Sequence, residues 1–84
     1  MEKKAEILLV DDHALILEGM QRMLELVPGV KVADAVTSGT RAAELIGERD
    51  YDIYVLDVSL PDISGFDLVD MIREINESAR IIIS

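Results

Sequence analysis

The sequence predicts an α/β domain built on a parallel sheet, and three observations carry that reading. Four short aliphatic runs, Ile7-Leu8-Leu9-Val10, Val30-Lys31-Val32-Ala33, Ile53-Tyr54-Val55-Leu56 and Arg80-Ile81-Ile82-Ile83, alternate with three stretches whose apolar residues recur at helical spacing. The order βαβαβαβ that results demands parallel pairing and right-handed crossovers. Two of the runs end in carboxylates, Asp11 with Asp12 after the first and Asp57 after the third. A parallel strand covered on both faces reads this way, with its polar end emerging at the carboxyl edge of the sheet.

Each element follows from local pattern. After the first strand, Ile16, Met20, Met23, Leu24 and Val27 form an apolar helical face, with both methionines read as core, and Pro28-Gly29 ends the helix. The second strand leads through Thr37-Ser38-Gly39 into a helix with Ala42, Ala43, Leu45 and Ile46 on one face. The third strand runs from Ile53 to Asp57. Tyr54 within it is expected to pack inward, its hydroxyl partnered and its parity opposite to that of Asp57. Residues 59–64 form a loop in which Pro61 forbids helix continuation. Ser64, three residues before Asp67, gives a capping-box-like start to a helix burying Leu68, Val69, Ile72 and Ile75. Asn76-Glu77-Ser78 ends it, and Arg80 to Ser84 is the fourth strand.

The bulk numbers narrow the function classes. Eighty-four residues make room for one small domain, residues 1–84, and half of them are hydrophobic. Seventeen acids against eight bases give a net charge of -9, so the segment lacks the cationic face that direct nucleic-acid binding requires. Zero cysteines remove disulfides and thiolate metal sites. Lys3 and Lys4 precede an apolar run too short for a signal-peptide core or a membrane span, which makes the cytoplasm the expected compartment. The fourth strand expects cover on both faces, so the chain reads as part of a larger domain.

If the first and third strands are neighbours, Asp11, Asp12 and Asp57 converge in the crevice where open α/β sheets bind ligands. Their repulsion is then relieved by a retained proton or by a bound cation, most simply a hard divalent ion. Three chemistries use such a cluster. A nucleotide binder wants a Gly, Ser or Thr-rich loop after the first strand, and Asp11-Asp12-His13 repels phosphate. A phosphohydrolase with an aspartyl nucleophile pairs it with an acid two residues on, and position 59 is Ser. Asp57 as phosphoryl acceptor, with Asp11 and Asp12 holding Mg²⁺, uses every residue present. Asp11 or Asp12 alone would read as a helix N-cap. His13, the single histidine, reads as a solvent-facing residue at a helix start.

Val10-Asp11-Asp12-His13, then Asp57-Val58-Ser59-Leu60-Pro61-Asp62-Ile63-Ser64-Gly65, then a strand ending in Ser84 resemble the receiver domain of two-component response regulators. The Asp-Asp-His opening and the spacing from Leu15 to Leu24 resemble especially the subfamily with a LuxR-type helix-turn-helix output domain. The resemblance implies a flavodoxin-like sheet with strand order 2-1-3-4, phosphorylated by a sensor histidine kinase, and a phosphoacceptor rather than a turnover enzyme. It implies Asp57 as the acceptor and Mg²⁺ held by Asp12, Asp57 and the Ser59 carbonyl, with Asp11 assisting through water. Ser84 would bond the phosphoryl group and switch the protein.

The chain departs from the family pattern after Ser84. Family members continue with a fourth helix, a fifth strand ending in a lysine that pairs with the phosphoryl group, and a fifth helix. Their absence predicts slow labelling of Asp57 in the 84-residue chain. It also predicts a bare edge at Ile81-Ile82-Ile83 and uncovered apolar surface, hence a homodimer. A module that only self-associates, without phosphorylation, is the alternative reading.

Overall fold

A computed structural model describes residues 3–84, in which β1 (Ala5–Val10), α1 (Ala14–Glu25), β2 (Val30–Val36), α2 (Gly39–Glu48), β3 (Ile53–Leu56), α3 (Gly65–Ile75) and β4 (Arg80–Ile83) follow in order. All strand pairs are parallel, as the element order predicts, and the spatial order is β2-β1-β3-β4, as the family resemblance implies. Residues Leu8, Val10, Tyr54 and Leu56 point to one face, where α2 and α3 cover them with Ala42, Leu45, Ile46, Leu68 and Ile72. Ile7, Leu9 and Val55 point to the other, against Leu17 of α1. Alternation of β1 and β3 side chains between two layers is the period of two that a buried strand must show. Each fully buried Leu or Ile, such as Leu8, Leu9, Leu56, Leu68 and Ile72, contributes on the order of 2 kcal/mol.

Two sequence expectations shift. Helix α1 packs through Leu17, with Met20 and Leu24 partly buried beside it, whereas Ile16 and Met23 are exposed by 52% and 70%. Met23 is therefore surface rather than core, and Val27 and Ile75 are exposed as well. The strand β2 is longer than expected and carries a bulge. Ile7 pairs with Val32 but Leu8 pairs with Asp34, so Ala33 is the extra residue. Beyond it the faces of β2 exchange, and Asp34 meets Tyr51, whose hydroxyl donates to Asp34 Oδ2 at 2.6 Å. Tyr54 packs inward as expected, and its hydroxyl accepts the Tyr51 N–H at 3.1 Å.

The starts of α2 and α3 are capped by their own sequences. Ser38 Oγ accepts from Arg41 N at 3.1 Å and Ser64 Oγ accepts from Phe66 N at 3.2 Å, each satisfying an otherwise orphaned amide. The turn into β2 uses Gly29 at φ 82°, a left-handed conformation that glycine adopts without strain.

Asp62 ties the β3–α3 loop to α2. Its carboxylate accepts from Thr40 N and Thr40 Oγ1, each at 2.8 Å, and from Gly39 N at 3.0 Å, at the positive end of the helix. A side chain at Gly39 would meet Ile63 Cβ at 2.9 Å, so the loop and the helix start are in direct contact. Those bonds, foremost the one from the Thr40 amide, hold the Asp62 carboxyl well below its ordinary 3.8. A carboxylate with a depressed folded-state pKa stabilises fully above its unfolded pKa and loses that contribution as pH falls through the folded value. Asp62→Asn is therefore expected to lower the melting temperature at neutral pH, with the gap from wild type closing as pH falls below about 3.8. Thermal melts across that range check it, and a gap that widens in acid would contradict the assignment.

Candidate functional site

The site is made by register. Val10 pairs with Leu56 in neighbouring parallel strands, so the next residues of each, Asp11 and Asp57, leave the sheet side by side. Asp57 N donates to Val10 O at 2.9 Å and Asp11 N to Val36 O at 3.2 Å, which extends the ladder one step beyond the strands and fixes both residues. Asp11 and Asp57 are the two buried charged residues among those described, 7% and 8% exposed.

Each carboxylate is aimed by a short turn. Asp11 Oδ1 accepts from His13 N at 2.8 Å, and Asp57 Oδ1 accepts from Ser59 N at 2.9 Å. These side-chain bonds to the amide two residues on are the local turns that aspartate favours. Asp12 follows Asp11 and presents a different situation. Its Oδ1 is buried and has no hydrogen-bond partner, although His13 Nδ1 lies 3.0 Å away. The two observations are reconciled by the imidazole, whose Nδ1 makes its hydrogen bond to Asp11 Oδ1 at 2.9 Å and meets Asp12 through charge alone.

His13 was expected to face solvent. Its side chain is 61% exposed, yet its Nδ1 turns inward, 3.8 Å from Asp57 Oδ2 as well as close to Asp11 and Asp12. The hydrogen bond to Asp11 and then the charge of Asp12 raise its pKa above 6.5. One donor atom from each of Asp11, Asp12, His13 and Asp57 lies within 4.8 Å of the others. Spacing along the chain could not reveal this, because the imidazole is placed by the turn at Asp11 and meets Asp57 only through strand pairing.

Ser59 is exposed, with its amide committed to Asp57. The Ser84 backbone closes the far side, its N donating to Leu56 O at 3.0 Å and its carbonyl accepting from Val58 N at 3.3 Å. Both sequence-predicted serines therefore lie at the same sheet edge as Asp57. Among the described residues, every ion pair formed by Asp11, Asp12 and Asp57 is with His13. A set of crowded carboxylate oxygens, one buried and lacking a hydrogen bond, suits a hard divalent cation such as Mg²⁺.

Gly65 sets how closely α3 approaches. A Cβ there would meet Val58 Cα at 2.8 Å and Asp57 O at 2.9 Å, both backbone atoms with little freedom to move. The helix start thus abuts the peptide that carries the acceptor candidate.

A family model for the response regulator receiver domain matches residues 7–84. The chain belongs to the response-regulator receiver family. The chain is 30% identical over 82 residues to the nitrate/nitrite response regulator protein NarL of Escherichia coli K12, covering 98% of this chain and 38% of that protein. It is 35% identical over 78 residues to NarP of the same strain, covering 93% of this chain and 36% of that one. Among solved structures it is similar to a LuxR-family two-component response regulator from Aurantimonas sp. SI85-9A1, with TM-score 0.85, 37% identity, and 96% of this chain and 58% of that chain covered. A CheY-like receiver domain from Methylobacillus flagellatus gives TM-score 0.83 and 30% identity over 96% of this chain and 69% of its own. The receiver thus spans well under half the length of those two curated relatives. Its Asp-Asp-His cluster is of the kind typical of phosphoacceptor receivers. Among the described residues, no helix is long and apolar enough to cross a membrane.

Gly65→Ala is expected to destabilise the receiver by on the order of 1–3 kcal/mol, because overpacking against backbone forces the loop to move. Amide shifts at Asp57, Val58 and Ser59 should accompany the loss in NMR spectra. A variant as stable as wild type with unmoved loop resonances would contradict the close contact.

Proposed function

We propose that this receiver, in the cytoplasm, accepts a phosphoryl group on Asp57 from the phosphohistidine of a sensor histidine kinase, and relays the change to a DNA-binding output domain in a longer regulator. The observation that carries the reading is the convergence of Asp11, Asp12 and Asp57 at two adjacent strand ends, with a buried Asp12 oxygen that makes no hydrogen bond. A carboxylate oxygen of Asp57 forms the bond to phosphorus as the bond from phosphorus to the imidazole nitrogen breaks, and the nitrogen keeps the electron pair. Asp11, Asp12, Asp57 and the Ser59 carbonyl would hold Mg²⁺. When bound, that ion supplies positive charge against the phosphoryl oxygens. Ser84, at the end of the neighbouring strand, donates its hydroxyl to the transferred group and couples phosphorylation to the surface around β4.

Phosphorylation of the 84-residue chain is expected to be slow, since His13 is the basic group paired with the three carboxylates and no lysine accompanies it there. Incubation with a small acyl phosphate and Mg²⁺, followed by intact mass, should show a single-phosphate adduct that grows slowly. The adduct should be absent from Asp57→Asn and from samples without divalent cation. An adduct of equal extent in Asp57→Asn would overturn the assignment.

Assembly is a second reading with its own observation. Ile82 and Ile83 of the outer strand β4 are 55% and 44% exposed, and Met20, Met23, Leu24, Val55 and Ile82 line an apolar groove between α1 and the sheet. Monomers seldom leave such a strand edge and groove open together. Sedimentation equilibrium of the 84-residue chain at micromolar concentration is expected to show a homodimer, and a well-folded strict monomer would contradict it.

A further inference from the structure

The three carboxylates are the expected oxygen donors of a receiver. The imidazole among them is a different kind of ligand. His13 Nδ1 is 2.9 Å from Asp11 Oδ1, 3.0 Å from Asp12 Oδ1 and 3.8 Å from Asp57 Oδ2. Donors about 2.1 Å from one octahedral ion are separated from their neighbours by about 3.0 Å and from their opposites by about 4.2 Å. The nitrogen therefore stands at the spacing of a neighbouring donor to the Asp11 and Asp12 oxygens, with the Asp57 oxygen between the neighbouring and the opposite spacing. The ring is also aimed by the backbone, since His13 N is itself bonded to Asp11 Oδ1 at 2.8 Å.

We propose that His13 Nδ1 is a further protein donor in the cation site, added to the three carboxylates and the Ser59 carbonyl, which makes it a mixed nitrogen and oxygen site. Such a site favours imidazole-seeking divalent ions, Co²⁺ and Ni²⁺ among them, over Mg²⁺ by more than an all-oxygen site does. The inference rests on the cation site of the proposed function and goes beyond it by naming what sets the choice of ion. Imidazole suits nickel and zinc, whereas carboxylate and carbonyl oxygens suit magnesium, and Mg²⁺ surrenders its waters reluctantly. Ligation through Nδ1 leaves the ring hydrogen on Nε2. The chain has one histidine and no cysteine, so side-chain nitrogen or sulfur ligation by imidazole or thiolate has a single source.

His13→Ala is a clean variant because the ring is largely exposed and the bond from His13 N to Asp11 does not use the side chain. Calorimetric titration with Ni²⁺, and NMR titration with Mg²⁺, are made on wild type, His13→Ala and Asp57→Asn. The expected result is a loss of Ni²⁺ affinity of at least about tenfold in His13→Ala, with Mg²⁺ affinity nearly unchanged. Ni²⁺ affinity should fall in Asp57→Asn too, and Co²⁺ should produce a paramagnetically shifted imidazole resonance in wild type. Three results would overturn the inference: Ni²⁺ affinity unchanged in His13→Ala, Mg²⁺ bound much more tightly there because the ring obstructs the site, or Ni²⁺ binding that ignores Asp57 and so reflects an isolated surface histidine. A wild-type chain that ignores Mg²⁺ but binds Ni²⁺ through both His13 and Asp57 would count against the magnesium reading above while supporting this one.

Discussion

Two adjacent parallel strands that both end in aspartate force carboxylates together, and the remaining architecture of this receiver is arranged around that crowding. Like charges within 4.8 Å cost on the order of 3 kcal/mol per pair at an effective dielectric near 20. A small domain whose whole stability is about 5–15 kcal/mol cannot carry several such terms unrelieved. The relief visible in the structure is partial. Asp11 and Asp57 each accept a backbone amide, and the imidazole of His13 leans over all three acids, yet Asp12 Oδ1 is left buried without a hydrogen bond. That residual deficit is what a divalent cation would correct, so the same feature that taxes the fold makes the site receptive.

Holding repelling groups together requires a stiff frame, and the β3–α3 loop supplies one through three separate contacts. At its start Asp57 turns back on Ser59. In its middle Asp62 is bonded to Gly39 and Thr40 at the head of α2. At its end Gly65 lets α3 begin against the carbonyl of Asp57. None of these residues other than Asp57 carries the chemistry proposed here apart from the Ser59 carbonyl. They confine where the acceptor carboxylate can go, which is the condition for a preorganised site.

The strands and their parallel pairing were readable in the sequence because aliphatic runs and alternating helices are local patterns, whereas the strand order that brings Asp11, Asp12 and Asp57 together came from the family resemblance. The facing of α1 was not. Leu15, Ile16, Leu17, Met20, Met23 and Leu24 spread apolar residues around most of the helix, so spacing fits more than one phase, and packing against Ile7, Leu9 and Val55 selects Leu17. The bulge at Ala33 leaves no mark in an alternating strand, since an alanine sits comfortably on either face. His13 eluded the pattern for another reason. A single histidine among acids is uninformative until a turn at Asp11 and the pairing of β1 with β3 set its ring beside carboxylates from two strands.

Carboxylate crowding at this sheet edge is a cost that a cation offsets, and thermal unfolding of Asp12→Asn is the decisive experiment. Wild type and variant are melted in chelator and again with Mg²⁺, at a pH alkaline enough to leave His13 neutral. Without divalent cation the variant is predicted to melt higher, by about 4–8 °C for each kcal/mol of repulsion removed in a domain of this size. Mg²⁺ should then raise wild type far more than the variant and close the gap. A variant that melts below wild type in chelator, or a wild type indifferent to Mg²⁺, would show that the three acids do not repel in the way the structure implies.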